Sequence, residues 1–314
     1  MGFPQKESSI MTAPCPILSR GVELPTGREH FGVLRESADA LHHLDELRQR
    51  LDDDGYLYLP GFWSRESVRE VRLSVLRQLA ALGCLDPAKP FEEGWSNADV
   101  PPPAQARTSP LDQCDPRMMS LLYGSRLLNL FAALLGGPVL HYDFTWFRTH
   151  ARGLGTKSHC DIVFMGRGTF RVYTAWTPLG DIDRELGGLI LLEGSHKKGD
   201  RLSPYLKQDV DTHCTNHPAA RERGRLNPDG AIADDPESVR RRLGGRWLMA
   251  DSYRMGDVLI FGMGLVHASL DNRSERIRIS TDTRYQLARD AVDERWTGIP
   301  PIGHGPGAAR GMIC

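Results

Sequence analysis

The chain has 314 residues, enough to bury a substantial core as one large domain. Lysine and arginine together number 39 against 40 aspartates and glutamates. No net basic field therefore exists to collect nucleic acid or an anionic membrane, and a small-molecule partner is expected. The six cysteines, Cys15, Cys84, Cys114, Cys160, Cys214 and Cys314, form no C-x-x-C pair, so a zinc ribbon or dithiol motif is excluded and they read as reduced thiols of a soluble, cytoplasmic protein.

Residues 1–37 mix Pro, Gly, Ser and Thr without periodicity and read as an extended arm with no assigned chemistry. They lack the charged start and apolar stretch of a secretory signal, and no later apolar run reads as long enough to span a bilayer. Leu41, Leu44, Leu47 and Leu51 predict an amphipathic helix from Ala38 to near Gly55. A short strand, Tyr56 to Leu59, ends in the turn Pro60-Gly61. Ser64 then offers an N-cap, with Glu66 in the first turn and Val68, Val71, Val75 and Leu79 at helical spacing up to Gly83. Another helix is expected from Ser125 to Leu135, stopped by Gly136-Gly137.

From about Val139 to Tyr285 the chain turns to short β-branched and aromatic runs separated by Gly, Asp and Pro, the pattern of an antiparallel sandwich or barrel. The expected strands are Val139 to Arg148, His159 to Met165, Phe170 to Thr177, Gly188 to Leu192, Asp257 to Phe261 and Arg276 to Tyr285. A polar segment over about 196–245 reads as a lid or binding loop inserted in a single domain of residues 38–290. Residues 291–314, including Gly303-His304-Gly305, read as a tail.

A metal that must bind dioxygen and a co-substrate needs few protein ligands, and two histidines with one carboxylate leave positions open. His-x-Asp on a strand suits this, since residues i and i+2 share a face. The pattern occurs three times, at His43/Asp45, His141/Asp143 and His159/Asp161. The first falls in the expected helix, where positions two apart diverge by about 200°. The second lies on a plausible strand, where a hydrogen-bonded pair is the plainer reading. The third follows the glycine-containing loop Arg152 to Lys157 and precedes an apolar run, a strand entrance. A partner histidine is offered by His267, after the apolar strand that ends at Phe261. Eleven residues further on, Arg278 and Ser280 share one strand face, and a buried arginine there can grip a dicarboxylate through two parallel hydrogen bonds. Arg276 and Arg284 have the same parity, so periodicity alone does not choose among the three.

Taken in order, these residues resemble the phytanoyl-CoA dioxygenase family over about Asp54 to Gln286. The resemblance rests on Gly55 to Phe62, His159-Cys160-Asp161, Trp176-Thr177-Pro178-Leu179, Gly187-Gly188-Leu189, Glu193 to Lys197, Gly256-Asp257, His267-Ala268-Ser269, Asn272, Arg278 and Ser280. It implies a double-stranded β-helix (a cupin-like jelly roll, mainly β) flanked by N-terminal helices. It also implies iron(II), 2-oxoglutarate and dioxygen as cofactor and co-substrates, and hydroxylation of a small metabolite with release of succinate and carbon dioxide. His159, Asp161 and His267 become the implied metal ligands and Arg278 the implied 2-oxoglutarate arginine. Ser269, Trp176 and Ser280 become implied pocket residues.

The chain departs from the family pattern at Ser158, where an aromatic residue is frequent, and at Glu193-Gly194-Ser195-His196, where His196 reads as a turn residue. The upstream co-substrate residue is open between Arg148 and Lys157. Asp161 argues against halogenation, because related halogenases replace the carboxylate to admit chloride. His213 and His217, near Asp209, Asp211 and Cys214, read as lid residues. Gly153 to Ser158 lacks the Gly-Lys-Ser/Thr of a P-loop. The rival readings are a non-catalytic jelly roll and a metalloenzyme using another ion at the same site.

Overall fold

The computed structural model describes residues 16–103, 115–211 and 230–304. Two sheets face each other. The larger is ordered β4 (Tyr56–Leu59), β10 (Val258–Gly262), β7 (Tyr173–Pro178), β12 (Arg278–Leu287) and β5 (Val139–His141), and β6 (Trp146–His150) shares the outer edge of β12 with β5. The smaller is ordered β11 (His267–Ser269), β8 (Leu189–Leu192), β9 (Trp247–Met249) and β3 (Phe31–Val33). All pairings are antiparallel except β3 with β9. This is the jelly roll implied by the resemblance.

Both faces of the larger sheet are covered, and period-2 alternation decides which side chain goes where. Tyr56, Tyr58, Leu259 and Phe261 point into the core between the sheets, whereas Leu57, Leu59, Val258 and Ile260 pack outward. Their outer partners are helices α1 (Leu44–Asp54), α2 (Arg65–Ala81), α3 (Pro116–Tyr123) and α4 (Ser125–Leu135). In β12 the apolar Ile279 and Tyr285 face these helices. The opposite parity therefore carries Arg278, Asp282 and Arg284 inward, where all three are buried. The Gly256-Asp257 turn is held by the Asp257 carboxylate, which accepts from Tyr58 Oη (2.6 Å), Gly61 N (3.0 Å) and Arg254 N (2.8 Å).

Several elements differ from expectation. The helix expected from Ala38 is a 3₁₀ turn at Ala38–Ala40 followed by α1, with His43 as its N-cap and left-handed Gly55 (φ 78°) as its C-cap. Both expected ends of α2 hold, and the Ser64 side chain accepts from Ser67 N. The strand expected over Val139 to Arg148 is split into β5 and β6: Tyr142 N still donates to the Arg284 carbonyl of β12, but Asp143 N donates to the Trp296 carbonyl, away from the sheet. The strand expected at His159 to Met165 does not form. His159 makes a single bridge to His267, and Ile162–Met165 is one helical turn, α5. The 196–245 segment carries α6 (Gly199–Leu206) and α7 (Pro236–Leu243), the latter capped by Asp235, while His213, Cys214 and His217 lie outside the described residues.

Apolar Pro116–Leu135 is, contrary to expectation, long and apolar enough to cross a membrane by length and composition. In this fold it is broken at Gly124, and Phe131 stacks on Tyr285 with ring centroids 4.3 Å apart. The region expected as a tail is packed as far as His304: Trp296 is fully buried and His304 Nδ1 lies 2.7 Å from Asp211. Arg295 pairs with Asp293 (2.5 Å) in its own segment and ties that segment to the 209–211 stretch through Asp211 (2.5 Å) and Asp209 (3.1 Å). Since Asp293 is buried, Arg295→Met leaves an uncompensated charge and should cost about 3–5 kcal/mol in urea unfolding. A loss below about 1 kcal/mol would mean that the network is effectively solvated.

Candidate active site

His159 and His267 come from distant parts of the chain and are joined by a reciprocal pair of backbone hydrogen bonds, each 2.9 Å. Their rings lie side by side with centroids 4.1 Å apart. Asp161, in helical conformation at the start of α5 (φ −62°, ψ −25°), turns its carboxylate toward the same point. Its Oδ1 is 3.9 Å from His159 Nε2 and 3.6 Å from His267 Nε2. One donor atom from each residue falls within 4.8 Å of the others; Asp161 and His267 are buried, and the His159 side chain is 12% exposed. Since the segment is not a strand, the face shared by His159 and Asp161 comes from the bridge to His267 and the following helical turn.

The remaining polar atoms of the triad are occupied. His159 Nδ1 is 2.7 Å from the Lys157 carbonyl and His267 Nδ1 is 3.0 Å from the Leu265 carbonyl. Each Nδ1 must donate its proton there, which fixes the tautomer and leaves the Nε2 lone pairs for an ion. Asp161 Oδ2 accepts from Thr174 Oγ1 (2.5 Å) and lies 3.0 Å from the Arg284 guanidinium. Burial lowers both histidines, His159 to about 3 with help from neighbouring His267, so they hold neutral imidazole. Burial opposes charge on Asp161 too, but Arg284 and the two histidines outweigh it and hold the carboxyl well below its usual range. Neutral nitrogens and an ionised carboxylate on one face fit a divalent transition ion with open positions.

Next to the triad is an inner chamber lined by Arg278, Trp176, Leu189, Thr156, Arg148 and Asp282. Arg278 is buried; one of its nitrogens donates to the Gly187 carbonyl, and Nε has no partner among the described residues. Burial and the nearby Arg148 depress it to about 10, so it remains a cation at neutral pH. A buried cation with an orphan donor is costly, and a carboxylate would satisfy both charge and hydrogen bond. Of the two upstream candidates, Arg148 lines this chamber and is 2.7 Å from Asp282, whereas Lys157 pairs with Asp234 at 2.5 Å.

The other candidates separate clearly. Trp176 lines the chamber, edge-on to Tyr253. Ser269 is used one layer back, where its Oγ accepts from Thr156 N at 2.7 Å and lies 2.9 Å from Thr156 Oγ1, so Thr156 presents the contact. Ser280 is buried on the inward face of β12 but is not part of the chamber lining. His141 and Asp143 stand elsewhere, 3.7 Å apart, with His141 against the Tyr123 ring. His196 bonds the Asp52 carbonyl at 3.0 Å, as a turn residue would. Sequence reasoning missed Thr174 and the role of Arg284. Parity with Trp176 and Arg278 was the available signal for both.

Convergent His₂–carboxylate donors inside a jelly roll, beside a cationic chamber, fit the mononuclear non-haem iron class that uses 2-oxoglutarate. Residues 51–280 match the phytanoyl-CoA dioxygenase (PhyH) family, and the chain belongs to it. It is an iron(II)- and 2-oxoglutarate-dependent dioxygenase. The chain is similar to the 1-deoxypentalenic acid 11-beta-hydroxylase of Streptomyces exfoliatus, 29% identical over 270 residues that cover 82% of this chain and 87% of that protein. Two solved structures from nogalamycin biosynthesis share the fold. One is the non-haem alpha-ketoglutarate-dependent carbocyclase SnoK, 19% identical with a TM-score of 0.54, covering 80% of this chain and 87% of that one. The other is the epimerase SnoN in complex with Fe3+, alpha-ketoglutarate and nogalamycin RO, 22% identical with a TM-score of 0.51, covering 80% and 86%.

Proposed function

We propose that His159, Asp161 and His267 hold the iron(II), that Arg278 grips the distal carboxylate of 2-oxoglutarate, and that the chain hydroxylates a C–H bond of a small metabolite. The observation carrying this reading is the locked geometry of the triad: both Nδ1 atoms and Asp161 Oδ2 are engaged, and the free donor atoms converge. When bound, iron, dioxygen and 2-oxoglutarate supply the oxidant, and 2-oxoglutarate leaves as succinate and carbon dioxide. The chain's own residues do the positioning. Arg284 and Thr174 orient Asp161, Arg278 and Trp176 set the depth of the co-substrate, and Arg148 with Thr156 borders both it and the outer cavity.

Hydroxylation is supported by the presence of a carboxylate at Asp161 and by the relatives named as hydroxylases of an acid. A single domain with 196–245 as its insertion is supported by a core that runs wider than 38–290, from Ile17 to Trp296. Buried, unpaired Cys84 and Cys160 suit the reducing cytoplasm. The test is anaerobic loading with iron(II) and 2-oxoglutarate, which should produce a metal-to-ligand charge-transfer band, followed by oxygen-dependent succinate release. Properly loaded protein lacking both would refute the assignment.

A further inference from the structure

Outside the triad lies a second cavity of about 440 Å³, a size suited to one small molecule. Trp146, Phe164, Met165 and Ala231 give it apolar walls, and Arg20, Arg148, Lys157 and Arg284 bring cations to it. Three of those cations are already matched: Arg148 by Asp282, Lys157 by Asp234 and Arg284 by Asp161. Arg20 is different. It forms no ion pair with a carboxylate among the described residues; Nη1 donates to the Gly155 carbonyl at 3.3 Å, and Nε is buried without a partner.

The backbone that delivers Arg20 is costly to build. Leu18–Ser19 and Val22–Glu23 form a hairpin whose two-residue turn is Arg20-Gly21. Arg20 has φ 58°, the one positive φ at a non-glycine position among the described residues. Asparagine, aspartate or glycine would adopt this turn more readily, so the arginine is not there for the turn. Asp271, just beyond β11, holds it in place, accepting from Arg20 N (2.7 Å), Gly21 N (2.8 Å) and Gly155 N (2.6 Å). An observed backbone outlier held at both of its turn amides by one buried carboxylate, carrying an unmatched guanidinium into a cavity beside the proposed metal donors, points to a binding role.

We infer that Arg20 is a specificity-determining residue that binds the carboxylate of an apolar carboxylic acid substrate lying against Trp146, Phe164 and Met165. The planar guanidinium matches a carboxylate fork, and one unmatched cation neutralises one negative charge. The residues 1–37, to which the sequence assigned no chemistry, thus contribute a substrate contact. This inference rests on the oxygenase reading above.

The test uses protein loaded anaerobically with iron(II) and 2-oxoglutarate, titrated by calorimetry with a panel of apolar monocarboxylic acids, cyclic and straight-chain, and their methyl esters. The best-binding acid should bind wild type on the order of 10- to 100-fold tighter than its ester, the range expected for one charge-assisted contact. Arg20→Gln should erase that preference while leaving 2-oxoglutarate affinity and the urea midpoint unchanged, and Arg20→Lys should restore part of it. Equal binding of acid and ester, no binding by any acid, or an unchanged preference in Arg20→Gln would overturn the inference. Wild type without the charge-transfer band would sink the parent reading; a normal band with indifferent acid and ester binding would sink this inference alone.

Discussion

Alanine at His267 should abolish the iron–2-oxoglutarate charge-transfer band and lower iron(II) affinity by more than about 100-fold, beyond what loss of a supporting partner costs. One of the three proposed ligands disappears, leaving Asp161 Oδ1 and His159 Nε2, 3.9 Å apart, to hold the ion alone. His141→Ala, at the rival His-x-Asp pair, should leave band and affinity within about twofold, because its Nδ1 meets the Tyr142 carbonyl and its ring leans on Tyr123. His267 also packs against Phe261, with centroids 4.7 Å apart, so His267→Gln should accompany the alanine variant and both should be checked for an unchanged urea midpoint. The reverse pattern, with loss at His141 and retention at His267, would move the centre to β5.

Arg278→Met should weaken 2-oxoglutarate binding on the order of 30- to 1000-fold, the cost of leaving a buried carboxylate without its partner. Iron affinity measured without co-substrate should barely change, since Arg278 makes no ion pair with the triad. Lysine should rescue little, because its single ammonium cannot reproduce the guanidinium fork. Arg284→Met should show the opposite division. Its guanidinium is 3.0 Å from Asp161 Oδ2, so iron affinity should fall roughly 10- to 100-fold, while 2-oxoglutarate affinity suffers through the metal alone. Equilibrium dialysis of iron and calorimetry of 2-oxoglutarate separate the two. Similar losses in both quantities for both arginines would mean that the inner chamber is not divided as described.

Residues that act through local pattern are legible in the sequence. The Ser64 cap, the valine spacing of α2 and the Gly136 stop follow from short-range rules, and α2 and α4 form where those rules place them. The alternation of β12 follows from period 2, so Arg278 and Arg284 could be placed on one face, though not told apart. Helix α3 was not foreseen, and the expected strand at His159 became a loop and a helical turn, because a short apolar run such as Ile162–Met165 suits either state until its neighbours are known. Burial of Trp296 and the His304–Asp211 contact likewise came from partners that a glycine-rich terminal segment does not announce.

The candidate iron centre shows where that boundary falls. The sequence by itself offered two histidines, a carboxylate and three arginines of one strand parity, because residue chemistry and period 2 are local matters, and the family resemblance singled out Arg278 among the three. Only the tertiary structure decided that His159 and His267 bridge one another, that Arg284 rather than Arg278 steadies Asp161, and that Arg20 reaches the outer cavity. These depend on contacts such as Arg20 to Asp271, which span 251 positions. Such contacts form because two sheets must bury their inner faces against each other, and that requirement acts on the whole chain and leaves no mark in any short segment.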